Sequence, residues 1–357
     1  MAGSNGNPRS GVRTLAWLRP AQGPLVRAIA ARAGLTIETV GGPSTAGRGG
    51  AAHGAEGFEG GGEWFSDLRQ ALTACDAELV LLAAPLTAGS VGEPADEERG
   101  LLALLRSKEW TVVTLEPLPG AAARAPVDAT SASGLPVIVP LLRDAPALRA
   151  AREALENFGP ARTLTVSMRT GPGAGSLAAR LFDAALLVHT LLGEPDAIDA
   201  SVVTPVAASG VHEAPPASID GLHGDLTANI RFAGARAASF SLSDRGGRWF
   251  RGLTLIGEGG CLRLDESGFD LLSPTGGIVD STRLDAPAPL KSDEPGVDPG
   301  AASAFAEAIR RALDPRASVA PPVDLAAVLS IAEAALLSAR TGQGESPATI
   351  LRMARSA

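Results

Sequence analysis

The sequence predicts an α/β fold: an N-terminal Rossmann-like, doubly wound parallel sheet, then an α+β domain with a large, mainly antiparallel sheet. Three observations carry this. A strand, a helix and a second strand fit within the first ~30 residues of patterned chain, the size of a βαβ unit. Apolar strands then alternate with helical segments to about residue 142. Beyond that point, Gly-rich turn signals separate successive short strands, which is the mark of hairpins. A chain of 357 residues is long for one core, so two domains are expected, at 12–142 and 143–357.

Each element follows from local pattern. Residues 12–18 (VRTLAWL) form a short apolar run suited to a buried parallel strand. After a loop at 19–24, residues 25–33 carry apolar side chains at helical spacing, and 35–40 (LTIETV) read as the second strand. The segment 41–62 holds ten glycines and has little periodicity, so it reads as a loop. Order returns with a helix at 65–74, a central strand at 77–84 (AELVLLAA), a loop at 85–95 and a helix around 97–106. Strands at 110–115 and 135–142 complete the first domain. The second opens with an amphipathic helix at 146–158, a strand at 162–169 and a long apolar helix at 176–192. Strands are then expected at 197–206, 225–232, 237–243, 250–257 and 261–265, and helices at 301–313 and 325–339.

Composition narrows the function. The net charge is −8, and no Lys/Arg cluster stands out, which argues against a nucleic-acid partner. No apolar run reaches the ~18 residues of a membrane span. The N-terminal 13 residues are polar and Gly-rich rather than a signal core. Cys75 and Cys261 are far apart and lack metal-ligand spacing, which fits a reducing, cytoplasmic setting. Of the four histidines, His53, His189, His212 and His223, none pairs at metal spacing. No nucleophile-elbow pattern appears around Ser209-Gly210 or Ser267-Gly268. Tyrosine is absent, and lysine occurs only at Lys108 and Lys291, leaving few candidates for a lysine general acid.

Several short motifs, in order, carry a family resemblance. They are the helix end Leu191-Leu192-Gly193-Glu194-Pro195, the run 244–249 (DRGGRW), the turn 255–262 (LIGEGGCL) and the closing helix 331–342. In the first domain Ala83-Ala84-Pro85 ends a strand, and Leu115-Glu116-Pro117-Leu118 follows another. Together, over roughly residues 12–345, the chain resembles the glucose–fructose oxidoreductase and inositol dehydrogenase (Gfo/Idh/MocA) family. The resemblance implies NAD or NADP as cofactor and a sugar-like or cyclitol ligand.

The functional positions depart from the family's pattern. Its first loop is G-x-G-x-x-G, which lets a backbone approach a diphosphate at a helix N-terminus. Aligned on Gly23, the first two positions are Leu18 and Pro20, a bulky side chain and a residue without an N–H. Gly41 and Gly42 stand where an acid would hold ribose, although Arg48 offers an NADP-type alternative. The cofactor positions implied are thus Leu18, Pro20, Gly23, Gly41, Ala84 and Pro85. Glu116 replaces the family's lysine. Counting back from Gly193, Asp183 replaces its histidine, with Ala179, Leu181 and Leu186 at the other motif positions. Glu116 and Asp183 are therefore the candidate catalytic groups, with Arg143 and Arg180 as candidate cleft residues.

Two readings follow. In the first, the chain is a degenerate homologue with lost or altered NAD(P) binding, a binding protein or partner subunit that holds no cofactor. In the alternative, it is an active NAD(P)-dependent oxidoreductase on a sugar or cyclitol, with a divergent cofactor loop. A third, non-redox catalysis by Glu116 and Asp183, has no motif to specify a reaction. Assembly as a homodimer or higher homo-oligomer is expected through the open face of the second sheet, taken to be too apolar to leave wet.

Overall fold

The structure, a computed structural model, describes residues 11–43, 64–84, 100–116 apart from 102, 106 and 109, 137–206 apart from 172, 213–286, 297–317 and 323–356. The first sheet contains β1 (Val12–Trp17), β2 (Leu35–Gly41), β3 (Trp64–Phe65), β4 (Leu79–Leu82), β5 (Thr111–Thr114) and β6 (Val137–Ile138). All its pairings are parallel, in the order β3-β2-β1-β4-β5-β6. The order reverses between β1 and β4, the place where doubly wound sheets bind ligands. Helix α1 (Gly23–Ala33) follows β1 and stops at Gly34, whose φ of 72° a β-carbon would disfavour. Helix α2 (Leu68–Ala74) is capped by Asp67, which accepts from the Arg69 amide at 2.8 Å.

The second sheet contains β7 (Ala161–Arg169), β8 (Ala197–Val203), β9 (Asp225–Phe232), β10 (Arg236–Ser243), β11 (Phe250–Gly257), β12 (Gly260–Asp265), β13 (Gly268–Leu272) and β14 (Ile278–Arg283). Its order is β14-β13-β12-β11-β7-β10-β9-β8; only the β7–β10 pairing is parallel. Between β6 and β7 lie two short helices, α3 (Pro146–Ala150) and α4 (Arg152–Glu156). Helix α5 (Leu177–Leu192) lies on the inner face and is buried from Leu177 to Val188 without a wet side. A helix that is apolar all round belongs in a core, and Arg180 and Asp183 are the two charges within that stretch. Helix α6 (Pro299–Leu313) returns to the first sheet and packs on α1, while α7 (Leu325–Thr341) packs on α5 and β8, and α8 (Pro347–Ser356) on α7.

Several expectations are corrected. The helix expected at 146–158 is two pieces, broken at Ala151 with φ −79° and ψ 0°. The strand expected at 135–142 is reduced to Val137–Ile138. Pro140 has no N–H, and the Leu142 amide is drawn away to Asp183. Strands β13 and β14 and helix α8 were not foreseen; β14 is exposed on both faces and so has no alternation to read. Helix α2 begins after Phe65, which instead belongs to β3. The loops at 41–62 and 85–95, with Arg48, His53 and Pro85, lie almost wholly outside the described residues, as do His212 and Lys291.

The open face of the second sheet is mixed in character. On β10 the alternation is as read, but Ala238, Phe240 and Leu242 face the core, leaving Ala237, Ser239 and Ser241 outward. One row runs across all eight strands as Asp199, Asn229, Ser239, Thr165, Thr254, Arg263, Asp270 and Ser281. That row is polar throughout, whereas Ile256, Cys261, Leu272 and Ile278 pair in a row beside it, with Ile256 and Ile278 exposed.

Candidate cleft at the switch point

The strand order places the ends of β1, β4 and β5 against the N-terminus of α5, and two groups of residues meet there. The first is the turn from β1 to α1. Leu18 is fully buried and its amide donates to the Gly41 carbonyl at 2.8 Å. A β-carbon on Gly42 would stand 1.9 Å from the Leu18 carbonyl oxygen, so the ends of β1 and β2 are pressed together. Pro20 to Gln22 form a single 3-10 turn. The Gln22 amide donates to the Arg19 carbonyl at 2.8 Å, its Oε1 accepts from the Arg19 amide at 2.8 Å, and its Nε2 donates to the Ala83 carbonyl at 2.6 Å. The Gly23 amide donates to the Pro20 carbonyl.

The family's dinucleotide can be tested against this turn. A diphosphate needs several backbone amides converging at a helix N-terminus. Here Pro20 and Pro24 have none, and those of Leu18, Arg19, Gln22 and Gly23 are already satisfied within the protein. The side chain of Gln22 also bridges the crevice between β1 and β4, ending on Ala83, beside Ala84. The residues present do not fit a diphosphate in the family's manner.

The second group is a buried polar cluster around Trp249. Glu116 follows β5 and is held by Thr114, whose hydroxyl accepts the Glu116 amide at 3.2 Å and donates to its carbonyl at 2.7 Å. Ser176 caps α5, accepting from the Ala179 amide at 3.1 Å, and donates to Glu116 Oε2. Burial pushes the Glu116 carboxyl up to about 7, against the pull of Ser176, Arg19 and Arg180. Asp183, two turns into α5, accepts from the Leu142 amide at 2.9 Å and from Arg251 Nη1 at 3.2 Å. Burial raises its carboxyl in spite of both arginines. Arg251 further donates to the Pro140 carbonyl at 2.9 Å and, through Nε, to Glu266 Oε1 at 2.6 Å. The Trp249 indole donates to the same oxygen at 3.0 Å. Arg180 and Arg251 lie over the Trp249 ring at 4.6 and 5.0 Å.

Glu116 and Asp183 thus come close to one arginine, Arg180, yet no hydrogen bond joins them to each other or to it. Arg143 sits in the 3-10 turn Leu142–Asp144, paired with Asp144 at 3.3 Å. Sequence reasoning missed Gln22, Ser176, Trp249, Arg251 and Glu266 as site residues. Arg251 had a signal: it shares the strand face of Leu253 and Leu255, so an inward arginine required an inward acid, and Asp183 on an otherwise apolar helix was available. Among the described residues no group of three His, Cys, Asp or Glu side chains could hold a metal ion.

Fold and cleft together define a class, the two-domain architecture seen in inositol and levoglucosan dehydrogenases. No family model and no curated protein matches the sequence. Among solved structures, GenD2 from gentamicin A biosynthesis, in complex with NAD, is 18% identical with a TM-score of 0.61, covering 97% of this chain and 99% of that one. Levoglucosan dehydrogenase, in complex with NADH and levoglucosan, is 15% identical with a TM-score of 0.58, covering 93% and 98%. A myo-inositol dehydrogenase from Corynebacterium glutamicum ATCC 13032 is 15% identical with a TM-score of 0.55, covering 94% and 98%. At these identities the likeness is one of fold, and the fold expected from the family resemblance is borne out.

Proposed function

We propose that this chain is a small-molecule-binding protein on the sugar-dehydrogenase fold that keeps the cleft and does without the dinucleotide. One observation carries the reading: the Leu18, Arg19, Gln22 and Gly23 amides are consumed internally, Pro20 and Pro24 have none, and Gln22 spans the crevice a diphosphate would enter. Fold likeness alone assigns no activity. The family's lysine and histidine positions hold Glu116 and Asp183, and Asp183 is tied up by Leu142 and Arg251 as a structural acid. Calorimetric titration with NADH and NADPH is expected to show no saturation up to about 1 mM. Saturable binding of either at about 10 μM overturns the reading.

That outcome would favour the second reading, an active oxidoreductase with a divergent cofactor loop. Glu116 supports it, since a carboxyl near neutrality is suited to proton transfer. Homodimerisation through the open sheet face belongs to the proposal too, with exposed Ile256 and Ile278 beside a polar row. Light scattering at micromolar concentration is expected to give twice the chain mass; a monomer mass removes it. Cytoplasmic residence is proposed on the two unpaired thiols, Cys75 and Cys261. No helix among the described residues is long and apolar enough to cross a membrane.

A further inference from the structure

Arg180 is 1% exposed, and among the described residues it makes no hydrogen bond and no ion pair. Its Nε and Nη1 are both shut off from solvent and partnerless. Among the described residues its one close support is the Trp249 ring. A guanidinium carries five N–H donors and cannot shed its charge at neutral pH. Burying it without acceptors costs several kcal/mol. Burial, and the neighbouring Arg251, pull its proton affinity down to about 10, so the charge remains. The chain's own acids do not relieve it: Asp183 is committed to Leu142 and Arg251, and Glu116 to Ser176.

The surroundings of Arg180 leave a way in. Gly175 and Ser176 are half-buried, whereas the helix beyond them is sealed. A β-carbon on Gly175 would stand 3.4 Å from Arg180 Nη2 and 3.9 Å from its Cζ, and within 4 Å of no other residue among those described. The side facing Gly175 is therefore screened by a residue with no side chain. Arg19 and Asp220 are near enough to act on the Glu116 charge.

We propose that Arg180 anchors a small carboxylate ligand, held at the N-terminus of α5 with Glu116 and Ser176 as partners for its hydroxyl groups. A carboxylate matches the guanidinium fork, and one negative charge balances one positive. A phosphate dianion would add a second charge beside Glu116 and Asp220. A neutral sugar would leave the fork unpaired. The inference rests on the proposed function for one thing only, that the ligand is not a dinucleotide.

The test compares D-gluconate with sorbitol, which differ by one carboxylate, on the full chain, with inorganic phosphate and NADH titrated alongside. Gluconate is expected to bind saturably and raise the melting temperature, with sorbitol and phosphate at least ~10-fold weaker. Arg180→Met is expected to weaken gluconate by at least ~10-fold while leaving the ligand-free melting temperature unchanged or higher, because an unpaired buried charge is gone. A merely structural Arg180 would lower that temperature. Should the Met variant fail to fold, Arg180→Lys decides: it keeps the charge without the fork, and undiminished gluconate binding in it overturns the proposal. So does the absence of gluconate binding, equal binding of sorbitol, or tighter binding of phosphate. NADH saturation alongside Arg180-dependent gluconate binding would overturn only the no-dinucleotide reading.

Discussion

The Trp249 ring carries two arginines that are buried alike, yet differ in their partners. Arg251 and Arg180 are each 1% exposed and lie 5.0 and 4.6 Å from the ring centre. Arg251 meets Asp183, Glu266 and the Pro140 carbonyl. Burial lowers its proton affinity, but Glu266 and Asp183 outweigh that and the net direction is up. Arg180 meets no acceptor, and its proton affinity falls. Both are equally hidden from water, so hydrogen-bond partners decide the difference. A buried charge with full partners holds the fold together. One without them is held in place by the fold for something else.

The comparison can be broken most severely at Arg251. Arg251→Met would leave Asp183 buried with only the Leu142 amide and Glu266 with only the Trp249 indole, and is expected to cost about 3–5 kcal/mol in urea unfolding. A cost below about 1 kcal/mol would mean that the two arginines are equivalent after all.

Glu116 sharpens the Arg180 side of the comparison through pH. Its carboxyl is raised from 4.5 to about 7 in the folded protein, facing Ser176, Arg19, Arg180 and Asp220. The folded state therefore binds more protons than the unfolded state between those values. This contribution is complete below pH 4.5 and is lost as pH rises through about 7. Glu116→Gln should remove that loss, making the variant more stable relative to wild type at pH 8 than at pH 4.5 by about 3 kcal/mol. Parallel stability curves for the two proteins would show that Glu116 titrates normally.

The smallest effect is the most telling. Without ligand, Arg180→Met should change stability by no more than about 1 kcal/mol, or raise it. A loss as large as that of Arg251→Met would place both arginines in one structural role.

Much of the framework was legible from the chain. The apolar run at 12–18, the βαβ spacing and the Gly-separated hairpins are local patterns, and local patterns survive folding because burial acts on each strand face in turn. Leu18, Pro20 and the missing lysine and histidine were equally visible, since they are changes of residue type at positions set by spacing. Strand β14 was not legible, having no buried face to impose alternation. Nor was the face of β10 that would be covered, because alternation shows two faces without saying which one α5 will meet.

By itself, then, the sequence determined which groups the cleft would contain and that the usual diphosphate loop was altered. Only the tertiary structure decided what each group does. Asp183 is spoken for and Glu116 is not far from neutrality, because partners 41, 60 and 68 residues away in sequence meet them in the core. Desolvation and hydrogen bonding depend on distance in space, which spacing along the chain does not encode. For the same reason no pattern of residues could reveal that one of two inward arginines would be left without an acceptor.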